Sequence, residues 1–209
     1  MIDNMRIFTK ITLIAALLSV MAAGLIGYAS WQMKTTDAGY ADLVARVDKN
    51  AALAVRGARI ASGYLVQSYQ LANDSTEADN ARGLSAVNAS KAEYASLMDG
   101  VREGLPEKAD EISASIAKMQ QAFAACDAVN LFSASSVSSD TLLASDTRLQ
   151  SECSPLLDAA ITQTVAMDDD LLAYSARISA SLDNQATAAI RNTIVFGVAG
   201  LVLSLAAAF

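Results

Sequence analysis

The sequence has no histidine, two prolines, two cysteines, one tryptophan and only 6% aromatic residues in its 209 positions. Without histidine it lacks the side chain that most often serves as general base or metal ligand near neutral pH. Its serines have no visible basic partner, and no glycine-rich phosphate loop is present. These absences argue against an enzyme, a metal site and a bound cofactor. Two prolines leave long stretches free to be helical, and no alternating, strand-like pattern competes with that reading. Basic residues are few as well, 15 against 22 acidic ones. So acidic a chain is a poor candidate for nucleic acid and offers no polybasic patch to anionic lipid.

Apolar residues are abundant, at 53%, and the excess sits at the two ends. Between Lys10 and Lys34 run 23 uncharged residues, ITLIAALLSVMAAGLIGYASWQM. As a helix they measure about 35 Å, enough to cross a bilayer. After Arg191 come 18 more, NTIVFGVAGLVLSLAAAF. Transmembrane helices are therefore expected over 11–33 and 192–209. The first could instead be a signal peptide, cleaved before Ser30. Its apolar stretch is longer than the roughly 7–15 residues of such signals, however, and Tyr28, Trp31 and Tyr40 suit the aromatic belt of a retained helix. Arg6 and Lys10, against Asp3, place residues 1–10 in the cytoplasm and 34–191 outside. That middle carries 13 basic and 21 acidic residues, a net charge of −8.

Four helical segments are legible in the middle. Leu43, Val47, Ala54, Ala58, Ala61, Leu65 and Ala72 recur at intervals of three, four and seven, the seam of a bundle. NDST, 73–76, breaks the first helix, and Thr76 with Asp79 fits a capping box for the second. The second is expected to end with Gly104 as its C′ residue, with Pro106 in the next first turn. SASSVSSD, 133–140, is the loop after the third. Pro155 either kinks the fourth helix or starts it afresh. The fold class is all-α: an antiparallel up-down four-helix bundle bracketed by two transmembrane helices.

The register follows from setting both membrane exits at one level. Arg56 then comes level with Glu93 and Asp168, and Arg59 with Val165 beside Thr164. Cys126 and Cys153 fall within three residues of one height, about 4.5 Å. In an oxidising compartment they form a disulfide; the alternative is two separate buried thiols. On the fourth helix Leu157, Ile161, Thr164, Asp168, Leu171, Ser175, Ile178 and Leu182 make an inward stripe, in which Thr164 and Asp168 need polar partners. Asp168, Asp169 and Asp170 in succession read as a solvated acidic patch, because neighbours on a helix point about 100° apart and cannot converge on one cation. Arg56 and Arg59, three residues apart, share a face away from the seam. They are either an ordinary ion-pair cluster or part of a ligand site.

This layout resembles the sensor half of a methyl-accepting chemotaxis protein of the four-helix-bundle type. VRGARIASGYLVQSYQLAND, 55–74, resembles the first sensor helix of that family, and LQSECSPLLDAA, 149–160, the start of the fourth. The resemblance implies a homodimeric receptor in the bacterial inner membrane, with a periplasmic sensor domain that binds a small molecule. It implies that Arg56, Arg59, Thr164 and Asp168 meet that ligand, which could bear a carboxylate, since an arginine fork donates two parallel bonds to one. It also implies a HAMP domain and a signalling hairpin after the second span, where kinase and adaptor bind. The expectation is that this chain stops short of them. The same sensor type sits on membrane histidine kinases. The reading from another class is a structural or accessory two-span membrane protein.

Overall fold

The structure, a computed structural model, describes residues 7–208. Asp3, Arg6 and Phe209 lie outside the described residues, as does the side chain of Lys10. The chain is all-α. Its helices are α1 (Ile7–Asp42), α2 (Lys49–Asn73), α3 (Glu77–Gly104), α4 (Ala109–Ala134), α5 (Ser139–Arg148) and α6 (Ser154–Ala208). A π-helical turn, Leu43–Asp48, joins α1 to α2, and another, Leu149–Cys153, joins α5 to α6. Pro155 follows directly on the second of these π-helical turns, in a backbone that stays right-handed helical through Ser154. Its missing N–H falls where Ser154 already donates five residues back, to Leu149 O, and the helix runs on past it.

The helix ends show why the chain turns where it does. Thr76 accepts the backbone N–H of Asp79 and caps α3. Ser138 and Thr141 form a reciprocal capping box on α5. Gly104 departs from expectation. It is the last residue of α3, and among the described residues no glycine has a positive φ. Leu105 closes the helix by donating its N–H to Val101 O. Gly104 is instead a point of close approach, since a Cβ there would lie 2.6 Å from Asn50 Cγ.

Two compact units are distinguished, Met1–Leu43 with Ala176–Phe209, and Val44–Ser175. Within the second, α2 packs on α3, α3 on α4, and the α5 segment on α2 and α4. Its interior holds Ala51, Ala54, Ala58, Ala61, Tyr64 and Leu71 of α2, with Met98 of α3, Phe123 of α4 and Leu157 of α6. Tyr64 takes the place expected of Leu65, which is half-buried. Cys126 of α4 and Cys153 are joined in a disulfide, 27 residues apart in sequence. Closing a loop of that length stabilises by roughly 3–4 kcal/mol through the unfolded chain.

In the first unit α1 and the end of α6 approach through glycines. A Cβ on Gly200 would collide with Met21 Cε, one on Gly39 would meet Leu182 Cδ2 at 2.5 Å, and one on Gly197 would touch Leu25 at 3.9 Å. Small residues allow such contact where the surroundings supply no hydrophobic drive. Between these contacts lies a groove of about 510 Å³, lined by Met33, Thr36, Tyr40, Ala186, Ile190 and Thr193 among others. Both helices carrying these segments are long and apolar enough to cross a membrane.

Candidate functional site

A polar core runs through the helices of the second unit. Tyr64, Phe123 and Tyr94 stack in sequence, with ring centroids 4.5 and 5.6 Å apart, the second pair edge-on. Both phenols find partners. Asn130 Nδ2 donates to Tyr64 Oη at 2.9 Å, and Tyr94 Oη lies 3.5 Å from Thr164 Oγ1. Ser115 Oγ lies 3.1 Å from the same threonine oxygen, which also donates to Ala160 O. Burial raises the pKa of Tyr64, helped by the charge of Asp127. Burial likewise raises Tyr94, against the hydrogen bonds from Thr164 and Ser115. Both phenols are therefore neutral at physiological pH.

Asp168 lies one turn beyond Thr164. It is 5% exposed, and its Oδ1 has no hydrogen-bond partner. Burial first, and then the charge of Asp169, push its carboxyl up to about 7. The acidic run is thus split by helical geometry and is not a uniform solvated patch. Asp168 faces the interior, Asp169 faces solvent, and Asp170 pairs with Lys108. Among the described residues no group of acidic or cysteine side chains has the arrangement of a metal site.

The arginines lie elsewhere. Arg56 Nη2 is 2.5 Å from Glu93 Oε1, and both side chains are about half exposed. Arg59 is exposed, with no ion pair or hydrogen bond among the described residues. Neither arginine bonds to Thr164 or Asp168. Of the four residues the sequence nominates, the structure therefore buries Thr164 and Asp168 together and leaves Arg56 and Arg59 on the surface of α2.

A second polar cluster, not anticipated from the sequence, gathers near the start of α2. Arg46 donates to Glu107 Oε1 at 2.6 Å, and Tyr174 donates to the same oxygen at 3.0 Å. Burial works against the charge of Glu107, but these bonds, with one from its own backbone, outweigh it and hold the pKa low. Hydrogen bonds to Asp170 and Glu111 raise Lys108, which also lies 5.6 Å from the Tyr174 ring centroid. Ser175 donates to Asp48. The signal for this cluster was Glu107 and Lys108 beside Pro106, a turn that has to meet α6. No known protein family, curated protein or solved structure matches the chain.

Proposed function

We propose that the chain is the sensing portion of a transmembrane receptor of the chemotaxis type. Residues 34–191 form an antiparallel four-helix bundle between spans at 11–33 and 192–209. The bundle lies in the periplasm, the N-terminus lies in the cytoplasm, and two copies pair along α2. The role is binding and signalling, not catalysis. A small molecule binds outside, and the second span carries the change to a kinase and its adaptor on the cytoplasmic side. The observation that carries this reading is α6 itself, in which the buried Thr164 and Asp168 share one helix with an apolar span.

Arg59 supports a ligand face on α2, since it is a fork donor with no carboxylate of its own. Around it Ala52, Ser62, Val66 and Gln70 are also exposed, a weakly polar stripe suited to a second copy. One observation favours the accessory reading, in which the bundle meets a partner and transmits nothing: Arg56 is already paired with Glu93.

A chimera separates the two readings. Residues 1–209 replace the corresponding portion of a chemoreceptor whose signalling region is retained, in cells lacking other receptors. Kinase activity should change with at least one compound of a small-molecule library, and Arg59→Ala should abolish responses to carboxylates. A membrane-inserted chimera that supports kinase activity and ignores the whole library supports the accessory reading.

A further inference from the structure

A groove of about 240 Å³ lies between α3 and α4, on residues that play no part in the proposed sensing. Leu84, Val87, Asn88 and Lys91 line it from α3, and Asp127, Asn130 and Leu131 from α4. Three features set it apart from an ordinary helix seam. First, Asn130 is 1% exposed, yet its Oδ1 has no partner. Its amide nitrogen is committed to Tyr64, so turning the amide over leaves an unpaired atom all the same. A buried polar atom without a partner costs about 1–3 kcal/mol, and such a cost points to a partner supplied from outside the chain.

Second, Lys91 and Asp127 form a fixed pair at the groove, with Lys91 Nζ 2.6 and 2.8 Å from the two carboxylate oxygens. The two charges cancel, so the groove attracts neither a cation nor an anion strongly. It presents a donor and an acceptor about one hydrogen-bond length apart. Third, Leu84, Val87 and Leu131 give it an apolar wall. A ligand that fits must be uncharged, must offer adjacent donor and acceptor oxygens, and must have a C–H face.

We propose that the α3–α4 groove around Lys91, Asp127 and Asn130 binds a small neutral polyol of monosaccharide size. Vicinal hydroxyls bridge the ion pair without breaking it, one donating to Asp127 and its neighbour accepting from Lys91. The C–H face of the ring lies on Leu84 and Leu131, and a small opening of the α3–α4 seam at Val87 brings a further hydroxyl to the buried Asn130 Oδ1, to which it donates. This inference does not depend on the sensor reading, because binding is measured without any response.

The test uses the full chain in nanodiscs, titrated calorimetrically with D-glucose, D-galactose, D-ribose and myo-inositol. Thermal shifts are avoided, because polyols stabilise proteins generally by exclusion from their surface. At least one of the four should bind saturably at submillimolar concentration. Asp127→Asn keeps the shape, removes the charge and should weaken that binding tenfold or more. Leu131→Trp, at an exposed position on the rim, should block it with no loss of helix content. Binding unchanged in both variants, or no saturable heat from any of the four up to 10 mM, overturns the proposal. Binding that vanishes in the variants while the chimera stays silent keeps this site and sinks the sensor reading.

Discussion

A carboxyl whose folded-state pKa is about 7 reverses the usual acid dependence of a protein. The native state holds the Asp168 proton between the ordinary aspartate value and about 7, where the unfolded chain has lost it. Its contribution is therefore complete at low pH and is lost as pH rises through 7. Each tenfold difference in proton affinity between the two states is worth about 1.4 kcal/mol, which sets a limit on the order of 4 kcal/mol. Glu107, Asp79 and Glu152 have lowered values, so their contributions run the other way and are lost only in stronger acid. Urea unfolding of the full chain in detergent at pH 5, 7 and 8.5 should thus show stability falling mainly between pH 5 and 7 and levelling off by pH 8.5. Asp168→Asn should flatten the slope and be the more stable protein at pH 8.5. A wild-type slope retained in that variant assigns the effect to another group. The inward stripe 157–182 was legible as a periodicity, and it includes Asp168. The pairing of Arg56 with Glu93 was legible as one of two alternatives. The Lys91–Asp127 groove was not, because neither residue breaks a pattern until α3 and α4 are laid side by side.

At the scale of the element, caps and breaks are written in a few residues, while phase is not. Thr76 and Ser138 each begin a helix through one side chain, and each can be read locally. The π-helical turn before α2 carries no such mark, and the expected seam stays buried beyond it at Ala54, Ala58 and Ala61. The stripe steps by three and not four after Ala61, so Tyr64 lies inside and the more apolar Leu65 only half inside. The glycines divide in the same way. Gly63 and Gly100 have nothing within 4 Å of an added Cβ, whereas one on Gly104 would run into the Asn50 amide. That amide is anchored by its own bond to Arg46 O at 2.7 Å and cannot swing away freely. Alanine at Gly63 or Gly100 should raise stability by about 0.5–1 kcal/mol through helix propensity. At Gly104 overpacking of about 1–3 kcal/mol outweighs that gain, so the net change is a loss. Thermal melts of the three variants decide it. Asn50→Ala should restore Gly104→Ala, and if Gly104→Ala is as stable as Gly63→Ala, the close approach is not a constraint.

For the whole molecule the question is whether α6 carries a message. It contains no glycine or proline between Leu156 and Phe196. A hydrogen-bonded backbone of that kind resists stretching more than its packed seams resist sliding. Ala186, Ala189 and Thr193 face the groove beside α1 and offer few bulky knobs to lock a register. A ligand moves the helix only by the difference in its affinity for two positions. The expected displacement is about 1–2 Å toward the cytoplasm, the scale of helix shifts in switching proteins. Ala29 and Thr193 both line the groove, so this pair reports the register directly. Ser30, the more obvious choice from the sequence alone, is exposed and reports it poorly. Cysteines at Ala29 and Thr193, and separately at Ala29 and Ile190, can be joined by a short bismaleimide. The native disulfide stays in place because it is not alkylated. With a compound to which the chimera responds, sliding toward the cytoplasm brings Ile190 down to Ala29 and carries Thr193 past it. The rate should therefore rise for the Ile190 pair and fall for the Thr193 pair. Rates that rise or fall together mean that the helices approach or separate without sliding. Rates unchanged at saturating compound mean that the end of α6 anchors the protein and that the signal, if one passes, takes another route.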